Sequence, residues 1–134
     1  MQLIDVYGLW CAPSVLYLLL KEREPHESIS HKAMPSWMEH TAFVERRPYA
    51  HWYVLDVDGS AVGAVYLTHQ REIGIGILKA HRGKGYAEEG IRLLLEQHPG
   101  RALANINPAN GASLQWFAKL GFKGPTQVTL ERAC

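Results

Sequence analysis

The sequence has few cysteines, no long apolar run and no large excess of charge of one sign. Its two cysteines, Cys11 and Cys134, lie near opposite ends and form no CxxC pair, which argues against a disulfide framework and a zinc finger. The longest apolar run, Val15 to Leu20, is too short to span a bilayer. The N-terminus has no basic flank followed by a long apolar core, so we predict no signal peptide and a reducing, cytoplasmic environment.

Positive and negative charges nearly balance in the chain. There are 14 Lys and Arg residues against 13 Asp and Glu residues, a formal net charge of +1. This balance argues against a protein whose main task is to bind nucleic acid or an anionic membrane. The 134 residues, of which 47% are hydrophobic and 20% charged, suit a globular domain that buries its own core. We therefore expect one domain over residues 1–134.

The pattern of apolar residues predicts an α/β fold. Aromatic and β-branched runs indicate strands, and Asp58-Gly59 between two of them is a hairpin signal. Ser36 and Glu39 have the spacing of a capping box, which marks the start of a helix that Pro48 ends. The other predicted helices are 14–23, 85–97 and 110–120, and the predicted strands are 2–7, 51–57, 61–68, 72–78, 102–106 and 128–131.

The segment EIGIGILKAHRGKGYAEEG, residues 72–90, has glycines and cations between a predicted strand and a predicted helix. A helix N-terminus has unpaired N–H groups and a partial positive charge, and Gly83 and Gly85 let a ligand approach the backbone closely. Arg82 and Lys84 add full charges, so the segment predicts a site for phosphate oxygens. It lacks the GxxxxGK[ST] of a P-loop and the third glycine of GxGxxG. A plain glycine-rich turn with solvated cations is the alternative.

Two motifs resemble those of the GNAT superfamily, the acyl-CoA-dependent N-acyltransferases. Arg82-x-x-Gly85-x-Ala87 resembles the family signature (Q/R)xxGx(G/A). Downstream, NPANGAS at 107–113 and WFAKLGF at 116–122 resemble the family segment NPxN…S…(Y)xKxGF. The resemblance covers residues 50–134 well, and residues 1–49 fit the variable first strand and two helices of the family. The chain is similar to small GNAT members of bacteria and their phages.

The resemblance implies a GNAT fold, with a mixed, mostly antiparallel sheet flanked by helices. The segments 72–78 and 102–106 would be two central parallel strands that splay apart, with the pantetheine arm of acetyl-CoA in the gap. The N–H of Leu78 would point at the thioester carbonyl, and amides of the glycine segment would hold the pyrophosphate. The implied cofactor-binding residues are Ile77, Leu78, Arg82, Gly83, Lys84, Gly85, Tyr86, Ala87, Asn110 and Ser113.

The resemblance also implies candidates for the chemistry of acyl transfer. Glu72, six residues before Leu78, has the spacing of a general base in several GNAT enzymes; the alternative is an edge carboxylate in a salt bridge. Many members have a proton-donating tyrosine at the position of Phe117, which has no proton to donate. Tyr86, Ser113 or water would replace it, or the thiolate would leave unprotonated, since a free thiol has a pKa of about 8.5.

The segment before the glycines holds the candidates for metal and acceptor contacts. His26, His31 and His40 match no common zinc spacing, and we predict no metal site. The loop after Pro25 and the helix that follows are expected to face the acceptor, which makes His31, Trp37 and Tyr53 candidate acceptor contacts. The alternative for each of the three is an ordinary place in the core or at the surface.

These features together predict an N-acetyltransferase that moves an acetyl group from acetyl-CoA to a primary amine by direct attack in a ternary complex. The alternative is an acyl-CoA-binding module with little or no turnover, for which the missing tyrosine would be the sign. The acceptor stays open between a small-molecule amine, such as an amino-sugar nucleotide or a polyamine, and a protein amine. Dimers are common in the family, so a homodimer is one expected assembly. No nucleic-acid or membrane partner is predicted.

Overall fold

A computed structural model describes residues 1–23, 34–106, 110–126, 130 and 132 of the chain. Within these ranges the helices are α1 (Ala12–Lys21), α2 (Trp37–Glu45), α3 (Tyr86–Gln97) and α4 (Gly111–Lys119). The strands are β1 (Gln2–Asp5), β2 (His51–Val57), β3 (Ser60–Leu67), β4 (Glu72–Ile77) and β5 (Leu103–Ala104). Short 3-10 turns follow β1 and β4.

The five strands form one sheet in the order β1-β2-β3-β4-β5. β1 to β4 pair antiparallel with their neighbours, whereas β5 pairs with β4 in parallel. The predicted fold, a mixed and mostly antiparallel sheet flanked by helices, is therefore confirmed. The strand predicted at 102–106 pairs only over Leu103–Ala104, and the one predicted at 128–131 lies, apart from Leu130, outside the described residues.

Local sequence signals account for where these elements begin and turn. Asp58 and Gly59 both have positive φ, 52° and 85°, as the tight turn between β2 and β3 requires. At the start of α2, Glu39 N donates to Ser36 Oγ at 3.1 Å and Ser36 N donates to Glu39 Oε1 at 2.9 Å. This reciprocal pair is the predicted capping box, which satisfies two N–H groups that the helix itself cannot.

Helices cover both faces of the sheet. On the face that we call the α3 face, α3 and α4 pack against a buried core of Leu55, Val62, Val65, Leu67, Ile73, Ile91, Leu94 and Phe117. On the opposite face, the α1 face, α1 and α2 pack against a second core of Val6, Ala12, Leu16, Val44, Trp52, Val54 and Ala64. Among the helices described, none combines the length and the apolar character that a bilayer crossing requires.

β4 presents different side chains to the two faces. Ile73, Ile75 and Ile77 pack on the α3 face, so alternation along the strand turns Glu72, Gly74 and Gly76 to the α1 face. A Cβ on Gly74 would overlap Cζ, Cε2 and Oη of Tyr66, whereas a Cβ on Gly76 would meet only Leu19 Cδ2, at 3.4 Å. The packing of Tyr66 therefore requires a glycine at position 74, whereas position 76 has room for a methyl group.

One end of the sheet carries a small polar cluster on the α3 face, beside the end of α3. Tyr53 Oη lies 2.7 Å from His98 Nε2, and the His98 ring stacks on His51 with centroids 3.6 Å apart. Arg71 Nη2 donates to the His98 carbonyl at 2.8 Å. Burial lowers the pKa of His98, and the neighbouring His51 and Arg71 lower it further.

We predict that Gly74→Ala lowers the free energy of unfolding by about 1–3 kcal/mol, the usual cost of forcing a methyl group into a packed position. Gly76→Ala, on the same strand and face, should lower it by less than about 1 kcal/mol, because its methyl meets only ordinary contact. Urea unfolding of both variants measures the difference. Equal losses in the two variants would contradict the role given to the Tyr66 ring.

We also predict that the fold loses stability as pH falls through about 6.5, the pKa of an unperturbed histidine. In the unfolded chain His98 takes up a proton near that pH, whereas in the folded chain its lowered pKa keeps it neutral to lower pH. Protons then favour the unfolded state, so stability is present above this window and is lost within it.

Urea midpoints at about pH 7.5 and about pH 5.5 measure this loss. His98→Gln should make it smaller, while His69→Gln, at an exposed turn, should leave it as in the wild type. If the pH dependence of the His98→Gln protein matched that of the wild type, the loss would have another source.

Candidate active site

The predicted anion-binding segment lies where β4 ends and α3 begins. Gly83 and Gly85 both have a φ of 79°, in the left-handed region, and Gly85 caps α3. The first bond of the helix runs from Glu89 N to Gly85 O, so the N–H groups at 86–88 have no helical carbonyl to bond. Backbone donors and the positive end of the helix dipole therefore meet at this junction.

Arg82 and Lys84 are the cations of the segment. Arg82 Nε donates to the Ile77 carbonyl at 3.0 Å, which fastens the segment to the end of β4. Lys84 is exposed between the two left-handed glycines. The ring of Tyr86 packs against the core of the α3 face, so what Tyr86 offers the segment is its backbone N–H. The fold thus brings residues 82–87 together at one strand-to-helix junction.

A gap opens between β4 and β5 next to this junction. The parallel ladder has two pairs, Glu72 with Leu103 and Ile73 with Ala104, while β4 itself continues to Ile77. Beyond Ile73, no residue in the described part of the chain continues the ladder on the β5 side. The two parallel strands therefore part on the side of the sheet where β4 leads to α3.

The direction of each backbone amide along β4 decides which ones face the gap. Leu78 N donates to Val62 O at 2.9 Å, so this amide is bonded to β3. Because successive residues of a strand point their N–H groups to opposite edges, the Gly76 amide also faces β3, and the Ile75 and Ile77 amides face the gap. The expectation that the Leu78 N–H points at a thioester carbonyl is corrected by this register.

Asn110 and Ser113 lie together at the start of α4. Asn110 Oδ1 accepts a hydrogen bond from Ser113 N at 3.1 Å and so caps the helix. Phe117, one turn later, is buried in the core of the α3 face, with edge-to-face contacts to Trp116 and Phe122 at 4.9 and 5.2 Å. The Phe117 side chain therefore contributes to core packing, and it has no proton that it could donate to a thiolate.

Glu72 is the first residue of β4. Its side chain lies on the α1 face, at the end of the gap where β4 and β5 are still paired. Asn105, directly after β5, donates from Nδ2 to Glu72 Oε2, so the carboxylate is held across the start of the gap. The alternative expected from the sequence was an edge carboxylate in a salt bridge to Arg71 or to a helix. Arg71 instead donates to the carbonyls of His98 and Arg101.

Two tyrosines that the sequence did not single out lie on the α1 face, to which Glu72 also points. The Tyr66 ring, from β3, lies over Gly74 and stacks on Tyr49 with centroids 3.8 Å apart and planes 3° apart. The signal that could have found Tyr66 is Gly74 itself, because a glycine inside a strand often marks the close approach of another group. Asn105 carries no comparable signal.

Of the three predicted acceptor contacts, Tyr53 and Trp37 lie within the described residues. Tyr53 packs on the α3 face, opposite to Glu72, and its hydroxyl bonds His98, which corrects its assignment as an acceptor contact. Trp37 is 45% exposed at the start of α2, where it packs edge to face on Tyr17. His31 lies outside the described residues.

Of the three histidines weighed as metal ligands, His40 lies within the described residues. His40 is buried, and its Nε2 lies 2.9 Å from the Pro13 carbonyl, which ties α2 to α1. His26 and His31 both lie outside the described residues. Within the described ranges, no three His, Cys, Asp or Glu side chains are grouped so that they could hold a metal ion.

Comparisons with solved structures agree with this architecture. An N-acetyltransferase from Staphylococcus aureus Mu50 is 21% identical with a TM-score of 0.63, and the match covers 91% of this chain and 81% of that one. A ribosomal-protein-alanine N-acetyltransferase from Brucella melitensis biovar Abortus 2308 is 16% identical with a TM-score of 0.68, covering 99% and 97%. A Salmonella typhimurium protein solved with its cofactor acetyl-CoA is 18% identical with a TM-score of 0.65, covering 90% and 77%. At these identities the likeness shows a common fold.

A match to a family model identifies the chain more specifically. The model, described as an acetyltransferase (GNAT) domain, matches residues 4–123. No curated protein matches the sequence. The matched range contains the second half of β1, all of β2 to β5, the glycine segment at the start of α3, and α4. The chain therefore belongs to the GNAT acetyltransferase family, whose members are acyltransferases that use acetyl-CoA.

Proposed function

We propose that the protein is an N-acetyltransferase, acting as one domain, that transfers the acetyl group of acetyl-CoA to a primary amine by direct attack in a ternary complex. The observation that carries the proposal is the meeting of two sets of backbone donors at one strand-to-helix junction. They are the N–H groups at the start of α3 and the gap-facing amides of Ile77 and Ile75. Two sets of this kind suit a ligand with a diphosphate at one end and an extended polar arm.

The residues present fit acetyl-CoA, which supplies the acetyl thioester. Amides at 83–87 and the charge of Lys84 would hold the diphosphate, since no side chain at Gly83 or Gly85 obstructs the backbone. The arm would then meet the Ile77 amide first, because Ile77 is nearer to α3, and the Ile75 amide next. We therefore assign the oxyanion donor to Ile75 N–H. Asn110 and Ser113 remain proposed contacts of the arm.

Glu72 is the proposed general base. An amine attacks only when its nitrogen lone pair is free, so an ammonium acceptor must first lose a proton. Asn105 bonds Glu72 Oε2, and the proton from the nitrogen is accepted at Oε1, directly or through one water. The nitrogen–carbon bond forms, the carbon–sulfur bond breaks, and the thiolate departs with the electron pair. The second proton that the nitrogen loses on becoming an amide goes to the thiolate or to water.

The thiolate leaves, in this proposal, without a dedicated side-chain acid. Phe117 occupies the position where many GNAT members have a tyrosine, and its ring is in the core. A thiol with a pKa of about 8.5 is a fair leaving group near neutral pH, so proton transfer from the amine is the step that needs help from the protein.

The same buried phenylalanine favours one alternative, an acyl-CoA-binding module with little or no turnover. Release of free thiol from acetyl-CoA in the presence of amines separates the two. The amines to test are amino sugars, polyamines, lysine and a peptide with an N-terminal alanine, the last because a structural neighbour is named a ribosomal-protein-alanine N-acetyltransferase. The cytoplasmic location and the homodimer stay predictions from the sequence.

We predict that Gly85→Ala weakens acetyl-CoA binding by roughly tenfold or more, the worth of one hydrogen bond to a charged group. The new methyl group strains a left-handed residue and stands where the diphosphate would approach. Gly121→Ala is the matched control, because Gly121 also has positive φ, 94°, and open space around it, but lies past the end of α4.

Both alanine variants should lose similar stability, about 1–2 kcal/mol, and calorimetric titration should find weaker acetyl-CoA binding in Gly85→Ala alone. If Gly85→Ala bound acetyl-CoA as well as Gly121→Ala does, the diphosphate would have to be held elsewhere.

We predict that Glu72→Gln lowers kcat by roughly 10²–10⁴-fold, the usual contribution of general base catalysis, and leaves acetyl-CoA binding unchanged. The loss should shrink as pH rises, because more of the acceptor amine is then already neutral. Glu96→Gln, on the exposed side of α3 in an ion pair with Arg92, is the control and should keep full activity. Rates of thiol release across the pH range provide the measurement, and an unchanged rate in Glu72→Gln at every pH would rule this base out.

A further inference from the structure

Tyr66 reaches across β4 towards the gap. Its Cα pairs with Gly74, and a Cβ on Gly74 would overlap Cζ, Cε2 and Oη of Tyr66. Since these are the far atoms of the side chain, the phenol extends from β3 over β4, with its hydroxyl at Gly74. The next residue, Ile75, directs its amide into the gap, so the hydroxyl lies at the edge of the gap on the α1 face.

Tyr49 holds Tyr66 in this position. The two rings are stacked, and both make edge-to-face contacts with Trp52, at 4.7 and 6.4 Å between centroids. Burial raises the pKa of Tyr49, and the neighbouring Tyr66 raises it further, so the Tyr49 hydroxyl stays protonated beside Tyr66. The Tyr66 hydroxyl oxygen has two lone pairs, so it can accept a hydrogen bond from a further donor.

We infer that the Tyr66 hydroxyl and the Glu72 carboxylate hold the acceptor nitrogen between them, which makes Tyr66 a second substrate-contacting residue; this inference rests on the proposed function. Glu72 and Gly74 are adjacent positions on one face of β4, about 6.5–7 Å apart along the strand, so an amine placed between them is within reach of the Glu72 side chain and of the hydroxyl at Gly74. Of the three N–H groups of the ammonium form, one donates to Tyr66 Oη and another gives its proton to Glu72, and the nitrogen then turns the resulting lone pair towards the gap.

The rings around this position set the class of acceptor. Phe43, Tyr49 and Tyr66 are half-buried on the α1 face. The buried Trp52 packs edge to face against these rings. A carrier group beside these rings gains by burying apolar surface and by aromatic contact. The acceptor class is therefore a primary amine on an apolar or aromatic carrier, such as an arylalkylamine, in preference to an amino sugar.

Two phenylalanine variants test the role of the hydroxyl. Tyr66→Phe keeps the stacked ring and removes only Oη, and Tyr53→Phe removes the same group from the opposite face of the neighbouring strand. The assay is thiol release from acetyl-CoA with 2-phenylethylamine, tyramine, hexylamine and glucosamine. Melting temperature and its shift with acetyl-CoA are measured in parallel, because a merely structural role would change those as well.

In Tyr66→Phe, kcat/KM for the amine should fall roughly three- to tenfold, the worth of one hydrogen bond, with acetyl-CoA binding and melting temperature as in the wild type. Tyr53→Phe should keep the wild-type kcat/KM, and 2-phenylethylamine should be a better acceptor than glucosamine.

Three results would overturn the inference while the proposed function stands. These are equal kcat/KM in Tyr66→Phe and the wild type, a parallel loss of acetyl-CoA binding in Tyr66→Phe, or a preference for glucosamine. No thiol release by the wild type with any of the four amines would overturn the proposed function itself, and this inference with it.

Discussion

The two-pair ladder between β4 and β5 is the constraint on which the site depends. It ends at Ile73 and Ala104 while β4 continues to Ile77, so the amides of Ile75 and Ile77 face a gap rather than a neighbouring strand. Both amides are hydrogen-bond donors directed at the gap. A ligand with carbonyl groups along an extended arm can accept from them. The early end of the ladder is thus a reason for an acyl-CoA arm to bind, as well as the space for it.

The alternation of β4 separates three tasks along one short strand. Side chains at Ile73, Ile75 and Ile77 anchor the strand in the core of the α3 face. The amides of the even-numbered residues bond β3 and hold the strand in register. The α1 face, where Glu72 is followed by two glycines, is left for a carboxylate and for the Tyr66 ring. Because the period of a strand is two, a slip of one residue would exchange all three tasks.

Local features of the fold could be predicted from the sequence because their causes are local. The capping box at Ser36, the Asp58-Gly59 turn and the glycine segment at 82–87 each depend on residues within one turn of one another. The Leu78 assignment was wrong because the direction of its N–H depends on the register with Val62. That register is set by the packing of the sheet and by no residue near Leu78.

Contacts between distant residues account for the rest of what the sequence did not predict. Asn105 meets Glu72 across 33 positions of the chain, and Tyr49 meets Tyr66 only because β2 and β3 pair. Tyr53 was assigned to the acceptor side, yet the strand alternation turns it to the α3 face. Which face a strand residue occupies follows from the whole sheet, so neither residue type nor spacing determined it.

Amide hydrogen exchange along β4, followed residue by residue with and without acetyl-CoA, tests the central claim most directly. In the free protein, the Ile75 and Ile77 amides should exchange faster than those of Gly74, Gly76 and Leu78, which are directed to β3. Saturating acetyl-CoA should then slow exchange at Ile75 and Ile77 selectively. Equal exchange at odd and even positions in the free protein, or no protection of Ile75 and Ile77 at saturation, would contradict the account.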